Sequence, residues 1–221
     1  MHKNDWIYLS HTLTNETPGY GGQKQFSSQF VARMENGASC NQSEWRFCNH
    51  VGTHIDAPFH FWSEGDPIDV FPASFWVFNK PQLIELDPGE SQIIKPDDWA
   101  EHIHLDCDLL LLKTGFETFR GTHHYWQHNP GLSPELGNWL RNERRALRAI
   151  GFDFISATSF DHRPLGRTTH HAFLANKEPP PVLIIEDMHL AELTTNPASV
   201  TVLPLRVEGA DGSPVTIIAK I

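Results

Sequence analysis

Cysteine is scarce in this chain of 221 residues, and so is positive charge. Cys40, Cys48 and Cys107 are too few and too irregularly spaced to frame a disulfide scaffold, so a reducing compartment, the cytoplasm, is the expected home. Lys and Arg number 17 against 27 Asp and Glu, a net charge of −10, which argues against attraction to nucleic acid or anionic membranes. No stretch approaches the roughly 18 apolar residues of a membrane span. No apolar run of signal-peptide length follows Met1-His2-Lys3-Asn4-Asp5-Trp6. A Gly-x-Ser-x-Gly elbow is missing, which weakens any reading as a serine α/β-hydrolase. What remains is a globular composition, 39% hydrophobic and 20% charged, long enough for one sizeable core. A single domain over residues 1–221 is the expectation.

Histidine is what the chain has in abundance, 14 residues in all. It is the commonest metal ligand and titrates nearest neutral pH, but only position decides what each one does.

Short β-branched and aliphatic runs predict strands at Trp6–Leu9, Gln82–Leu86, Leu109–Lys113, Phe152–Ile155, Val182–Ile185, Ser199–Leu203 and Val215–Ile221. The unbroken Leu109-Leu110-Leu111-Leu112 reads as a strand buried on both faces. One helix is clear. Ser133 caps it, Pro134 and Glu135 suit its first turn, and Leu136, Trp139, Leu140, Leu147 and Ile150 share a face before Gly151 stops it. Arg141, Arg144, Arg145 and Arg148 read as its solvated face. Pro179-Pro180-Pro181 is a stiff connector into a strand. The class is α/β with a mixed sheet.

The informative segment is His50-Val51-Gly52-Thr53-His54-Ile55-Asp56-Ala57-Pro58-Phe59-His60. On a strand, the even spacing of His50, His54, Asp56 and His60 puts all four on one face. Gly52 and Pro58 speak against a continuous helix, and a bend at Gly52 brings His50 and His54 together. Imidazoles and a carboxylate suit zinc, manganese or iron, and a set without thiolate fits a catalytic site better than a structural one.

His-x-Gly-Thr-His-x-Asp-x-Pro-x-His resembles the defining motif of the metal-dependent cyclase-like hydrolases, among them bacterial kynurenine formamidases and isatin hydrolases. Leu110-Leu111-Leu112-Lys113-Thr114-Gly115, Pro130-Gly131-Leu132-Ser133, Gly151-Phe152-Asp153, His170-His171-Ala172-Phe173-Leu174 and Val182-Leu183-Ile184-Ile185-Glu186 resemble further segments of that family. The resemblance implies a layered β/β/α domain of the swivelling type with a mixed sheet, assembled as a homodimer or homotetramer. It implies one or two divalent ions, zinc or manganese, with His50, His54 and Asp56 on one ion. Asp56 and Glu186 would bridge to a second ion held also by His170, with His171 as the rival ligand. It leaves His60 as the proton-transferring residue. Tyr20, Phe61 and Trp62 are candidates to touch substrate.

The expected reaction is hydrolysis of a small amide, an aryl formamide of the N-formylkynurenine kind, by metal-activated water. A cyclic amide of the isatin kind, a lactone or an ester is the alternative, and a noncatalytic metal- or ligand-binding protein is the alternative from another class. Elsewhere, His123, His124 and His128 read as a surface loop, His102 and His104 as a polar face, His162 and Arg163 as solvated or substrate-facing, and Cys48 as a small core residue.

Overall fold

The computed structural model describes residues 5–221; Met1 to Asn4, read above for a leader, lie outside them. Thirteen strands are formed: β1 (Trp6–Tyr8), β2 (Phe26–Ala32), β3 (Gln42–Phe47), β4 (His54–Asp56), β5 (Val77–Phe78), β6 (Pro81–Glu85), β7 (Ile93–Ile94), β8 (Leu109–Lys113), β9 (Gly131–Leu132), β10 (Ala149–Phe152), β11 (Leu183–Glu186), β12 (Ser199–Pro204) and β13 (Gly212–Lys220). Three α-helices join them among the described residues: α1 (His123–Gln127), α2 (Pro134–Glu143) and α3 (Arg163–Leu174). Nine strands make one mixed sheet in the order β5-β12-β13-β4-β11-β10-β8-β6, with β1 also on β13. The β6-β8-β10-β11 part is parallel and the rest antiparallel. β2 and β3 form a separate antiparallel arm.

The leucine run of β8 is buried on both sides, as its composition predicts. Leu110 and Leu112 join Ile150, Phe152 and Ile184 under α2 and α3, where Leu136, Leu140 and Phe173 complete one core. Leu109 and Leu111 face the other way, into a second core with Ile55, Val200, Val202 and Ile217. The sheet thus curls over one core and carries its helices on the opposite face, which gives the β/β/α layering.

The helix expected to run to Ile150 ends at Glu143. Its cap is as expected, with Ser133 Oγ accepting from Leu136 N at 3.1 Å. Leu147 and Ile150 are apolar because they enter the core from a loop and from β10, not because they continue the helical face. Gly151 is therefore no helix stop. It sits inside β10 with Met188 and Ile185 pressed against it, and a Cβ there would lie 2.2 Å from the Met188 sulfur. The strand expected at Phe152–Ile155 is displaced to Ala149–Phe152 for the same reason.

Of the four arginines expected on a solvated face, Arg145 is exposed and Arg148 half-buried, but Arg141 and Arg144 are not solvated. Arg141 and Arg144 are only 5% and 6% exposed. Arg141 donates to the carbonyls of Ala172, Asn176, Pro179 and Pro180, so it fixes the connector between α3 and β11. Arg144 holds the carbonyls of Ile103 and Ala100. Cys48 is exposed, not core. His123 and His124 lie on α1, where Tyr125 between them and the helix end is fully buried. α3 escapes hydrophobic periodicity because its buried stripe contains Gly166, Thr169 and His170 as well as Phe173.

The ends of β8 and β10 are tied by Asp153. Its buried carboxylate accepts from Thr114 N, Thr114 Oγ1 and Gly115 N at 2.6–3.0 Å. Burial nevertheless pushes its carboxyl up to about 6, against the hydrogen bonds that pull it down. Asp153→Asn keeps the shape but replaces an acceptor by a donor facing these groups. We expect a loss of stability of about 1–3 kcal/mol in urea unfolding; an unchanged midpoint contradicts this role.

Candidate metal and proton-transfer site

β4 delivers two of the site residues. Gly52, at φ +61°, turns the chain so that Thr53 can anchor on the Asp187 carbonyl and His54 can enter the strand. β4 lies between β11 and β13, both antiparallel to it. Its register sets His54 opposite Glu186 and Asp56 opposite Gly212. Opposed residues share a face, so His54, Asp56 and Glu186 project together on the helix-covered side. α3 supplies His170 from above. His171, the rival, is exposed on the outer side of that helix.

His54, Asp56, His170 and Glu186 are all buried, at 1–5% exposure. His54 Nδ1 donates to the Gly52 carbonyl and His170 Nδ1 donates to the Gly166 carbonyl, each at 2.8 Å. Backbone therefore fixes both tautomers and leaves both Nε2 lone pairs facing inward. Each Nε2 faces both carboxylates. His54 Nε2 is 3.5 Å from Asp56 Oδ1 and 3.4 Å from Glu186 Oε2. His170 Nε2 is 3.6 Å from Asp56 Oδ2 and 3.5 Å from Glu186 Oε1. Two buried carboxylates alternate with two imidazole nitrogens, and among the described residues no Lys or Arg pairs with either acid. Such an arrangement requires compensating positive charge, from protons on the imidazoles or from a cation among them. The separations are those of ligand atoms sharing one ion, about 3.3 Å for tetrahedral bonds of ~2.0–2.1 Å. The donor set fits a divalent metal.

His50 lies at the edge. Its Nδ1 is 2.8 Å from Asp56 Oδ1 and its Nε2 is 2.9 Å from Asp211 Oδ2. Burial works against its charge, but the two carboxylates outweigh it and raise the imidazole to about 9. Asp56 is pushed up by burial and pulled further down by His50, His54 and His60, ending well below the ordinary carboxylate range. His60 stacks on His50 with ring centres 3.9 Å apart. Its Nδ1 also meets Asp211 Oδ2, at 2.8 Å. Burial dominates here and holds His60 below its usual range, so it is neutral at pH 7.

Asp211 is the candidate site residue that sequence reasoning missed. It sits in Gly209-Ala210-Asp211-Gly212, which reads as an ordinary turn. Only the pairing of Gly212 with Asp56 reveals that it faces His50 and His60. Asn49 Nδ2 donates to its other oxygen at 2.6 Å. Ser156 and the Ala157 N–H, also unforeseen, hold Glu186 Oε1 at 3.2 and 2.7 Å.

His50, His54, Asp56, His60, His170 and Glu186 line a cavity of about 260 Å³, and Asp211 stands outside its lining. Tyr20 and Phe61 are in its wall; Trp62 is not among the lining residues and is replaced there by Ile155 and Thr158. Phe61 stacks on His170, with centres 4.5 Å apart. The Tyr20 hydroxyl is buried with no partner, and burial pushes its pKa up to about 12, so it remains a hydrogen-bond donor. His102, His104, His162 and Arg163 are exposed and stand outside the cavity.

The chain resembles known proteins along its whole length. It is 29% identical to cyclase-like protein 1 of Arabidopsis thaliana, over 97% of this chain and 84% of that one. It is 28% identical to a kynurenine formamidase of Bacillus anthracis, over 100% of this chain and 99% of that one. The fold matches isatin hydrolase A of Labrenzia aggregata, solved with benzyl benzoate, at a TM-score of 0.79 and 21% identity, covering 97% of this chain and 92% of that one. The family model described as putative cyclase matches residues 7–159, more than half the sequence, and the chain belongs to that family.

Proposed function

We propose that this protein is a metal-dependent hydrolase that opens a small non-peptide amide, an aryl formamide of the N-formylkynurenine kind. The ring of His54, Asp56, His170 and Glu186 beside a neutral His60 carries the reading. The 28% identity to a kynurenine formamidase over the whole chain supports the substrate class.

The ring would hold one or two ions, zinc or manganese. His50 would join it by exchanging its hydrogen bond to Asp56 for the ion. A divalent ion supplies Lewis acidity toward water and toward a carbonyl oxygen. The protein's own groups do the rest. Ser156 and Ala157 N–H keep Glu186 aimed inward. Asp211 accepts the Nδ1 proton of His60, which leaves the Nε2 lone pair free on the cavity side. From there His60 can take a proton from the attacking water and return it to the departing nitrogen. Tyr20 O–H would donate to the substrate, and Phe61 would offer an apolar wall. A cavity of this size suits a small molecule.

Chelator-treated protein should release no formate from N-formylkynurenine, and zinc or manganese should restore it. His60→Ala should keep the metal and lose on the order of 100-fold or more in kcat, while His54→Ala should lose the metal as well. Because the neutral form of His60 is the working base, activity should fall only as pH drops below 6.5, the ordinary imidazole value. Turnover of isatin alone moves the substrate to a cyclic amide. Metal binding without turnover of amides, lactones or esters contradicts the enzyme reading.

We also propose a homo-oligomer in the cytoplasm. The β2–β3 arm leaves Trp45, Phe30 and Met34 at 66%, 55% and 60% exposure, a patch that association would cover. All three cysteines are free, as a reducing compartment would keep them. Among the described residues no helix is long and apolar enough to cross a membrane. Light scattering should give a mass two or four times 25.1 kDa; a monomer contradicts the assembly.

A further inference from the structure

We propose a second, independent divalent-metal site of two imidazoles and one carboxylate, built from His11, Glu117 and His189. Three segments distant in sequence meet there. A bridge between Ser10 and Met188 runs the chain after β1 beside the chain after β11 and sets His11 against His189, ring centres 4.9 Å apart. Glu117 arrives from the single turn of 3-10 helix that follows β8. One ligand atom from each of the three lies within 4.8 Å of the others.

Glu117 points to an ion. Its side chain is 5% exposed, and among the described residues no Lys or Arg pairs with it. Arg120 nearby is committed to Asp187, at 2.8–3.2 Å. Oε2 accepts from Leu190 N at 3.0 Å and lies 3.3 Å from His189 Nδ1, while Oε1 is buried with no partner. His11 Nε2 lies 3.7 Å from Oε2, too far for a hydrogen bond, and is likewise buried and unpartnered. Burying such an orphan without a partner is unfavourable. One cation between them would take a lone pair from His11 Nε2, His189 Nδ1 and Glu117 Oε2, and the 3.3 and 3.7 Å separations from that oxygen bracket the spacing of ligands around a zinc ion, about 3.3–3.4 Å.

The site is separate from the cavity described above. Thr53 stands between them, accepting from His11 N at 2.9 Å and donating to the Asp187 carbonyl at 2.5 Å. His11 and His189 open instead on a different groove, of about 1370 Å³. Nitrogen-rich donors favour zinc over magnesium or calcium, and three protein ligands leave a fourth position for water from that groove. An ion here clamps the segments after β1, β8 and β11, so its effect is on stability.

The test counts metal and does not depend on turnover. In a His54→Ala/His170→Ala background, stripped protein should still bind one zinc, and Co²⁺ should give visible d–d absorption. Adding His189→Ala or Glu117→Gln should weaken binding on the order of 10–100-fold or more. Zinc should raise the melting temperature of the parent background and not of these variants. A folded background that binds no zinc at micromolar concentration, or binds it equally after His189→Ala, overturns the proposal. Should that background fail to fold, His189→Ala in the otherwise unaltered protein decides it. Loss of one zinc equivalent supports the site; an unchanged count overturns it.

Discussion

A strand of three residues, β4, holds the centre together because both of its neighbours run antiparallel to it. That pairing converts sequence distance into contact. Glu186 is brought opposite His54, and the start of β13 is brought opposite Asp56. Ile55, between the two ligand candidates, points to the other face and anchors the strand in the second core. A slip of one residue would turn His54 and Asp56 into that core and Ile55 into the cavity, so the apolar pattern protects the register on which the chemistry depends.

The same register creates an electrostatic demand. Asp56 and Glu186 are buried with their oxygens directed at two imidazoles whose protons are already given to backbone carbonyls. The fold supplies no lysine or arginine to this ring among the described residues. Charge balance has to come from protons or from a metal. Asp211 extends the demand outward by holding His50 and His60 on one oxygen; with Asp56 it favours the charged form of His50, while burial leaves the stacked His60 neutral. A neutral, oriented imidazole beside a cation site is what separates a hydrolytic centre from a site that only binds.

Much of the fold was legible. The leucine run, the Ser133 cap and the β-branched termini carry their signals locally, within a few residues. The misreadings share one cause, which is that tertiary context reassigns residues of ambiguous period. Ile150 and Gly151 fit a helix end as well as a strand until β8 and β11 flank them. Arg141 looks solvated until the carbonyls of the α3–β11 connector gather around it. α3 itself was unreadable because the groups it buries are partly polar. In the site, His50, His54, Asp56 and His60 announced themselves by spacing. His170 and Glu186 came only through resemblance, since no local pattern links them. Asp211, Ser156 and Ala157 gave no signal because their roles arise from strand pairing and a backbone N–H.

The central claim, that imidazole nitrogens and carboxylate oxygens from β4, β11 and α3 surround one cation centre, is tested most directly by X-ray absorption on zinc-loaded His189→Ala protein, which lacks a ligand of the second site. The account predicts a first shell of nitrogen and oxygen only, with imidazole scattering from at least two histidines that diminishes in His170→Ala. A shell containing sulfur, or one unchanged by losing His170, would contradict it.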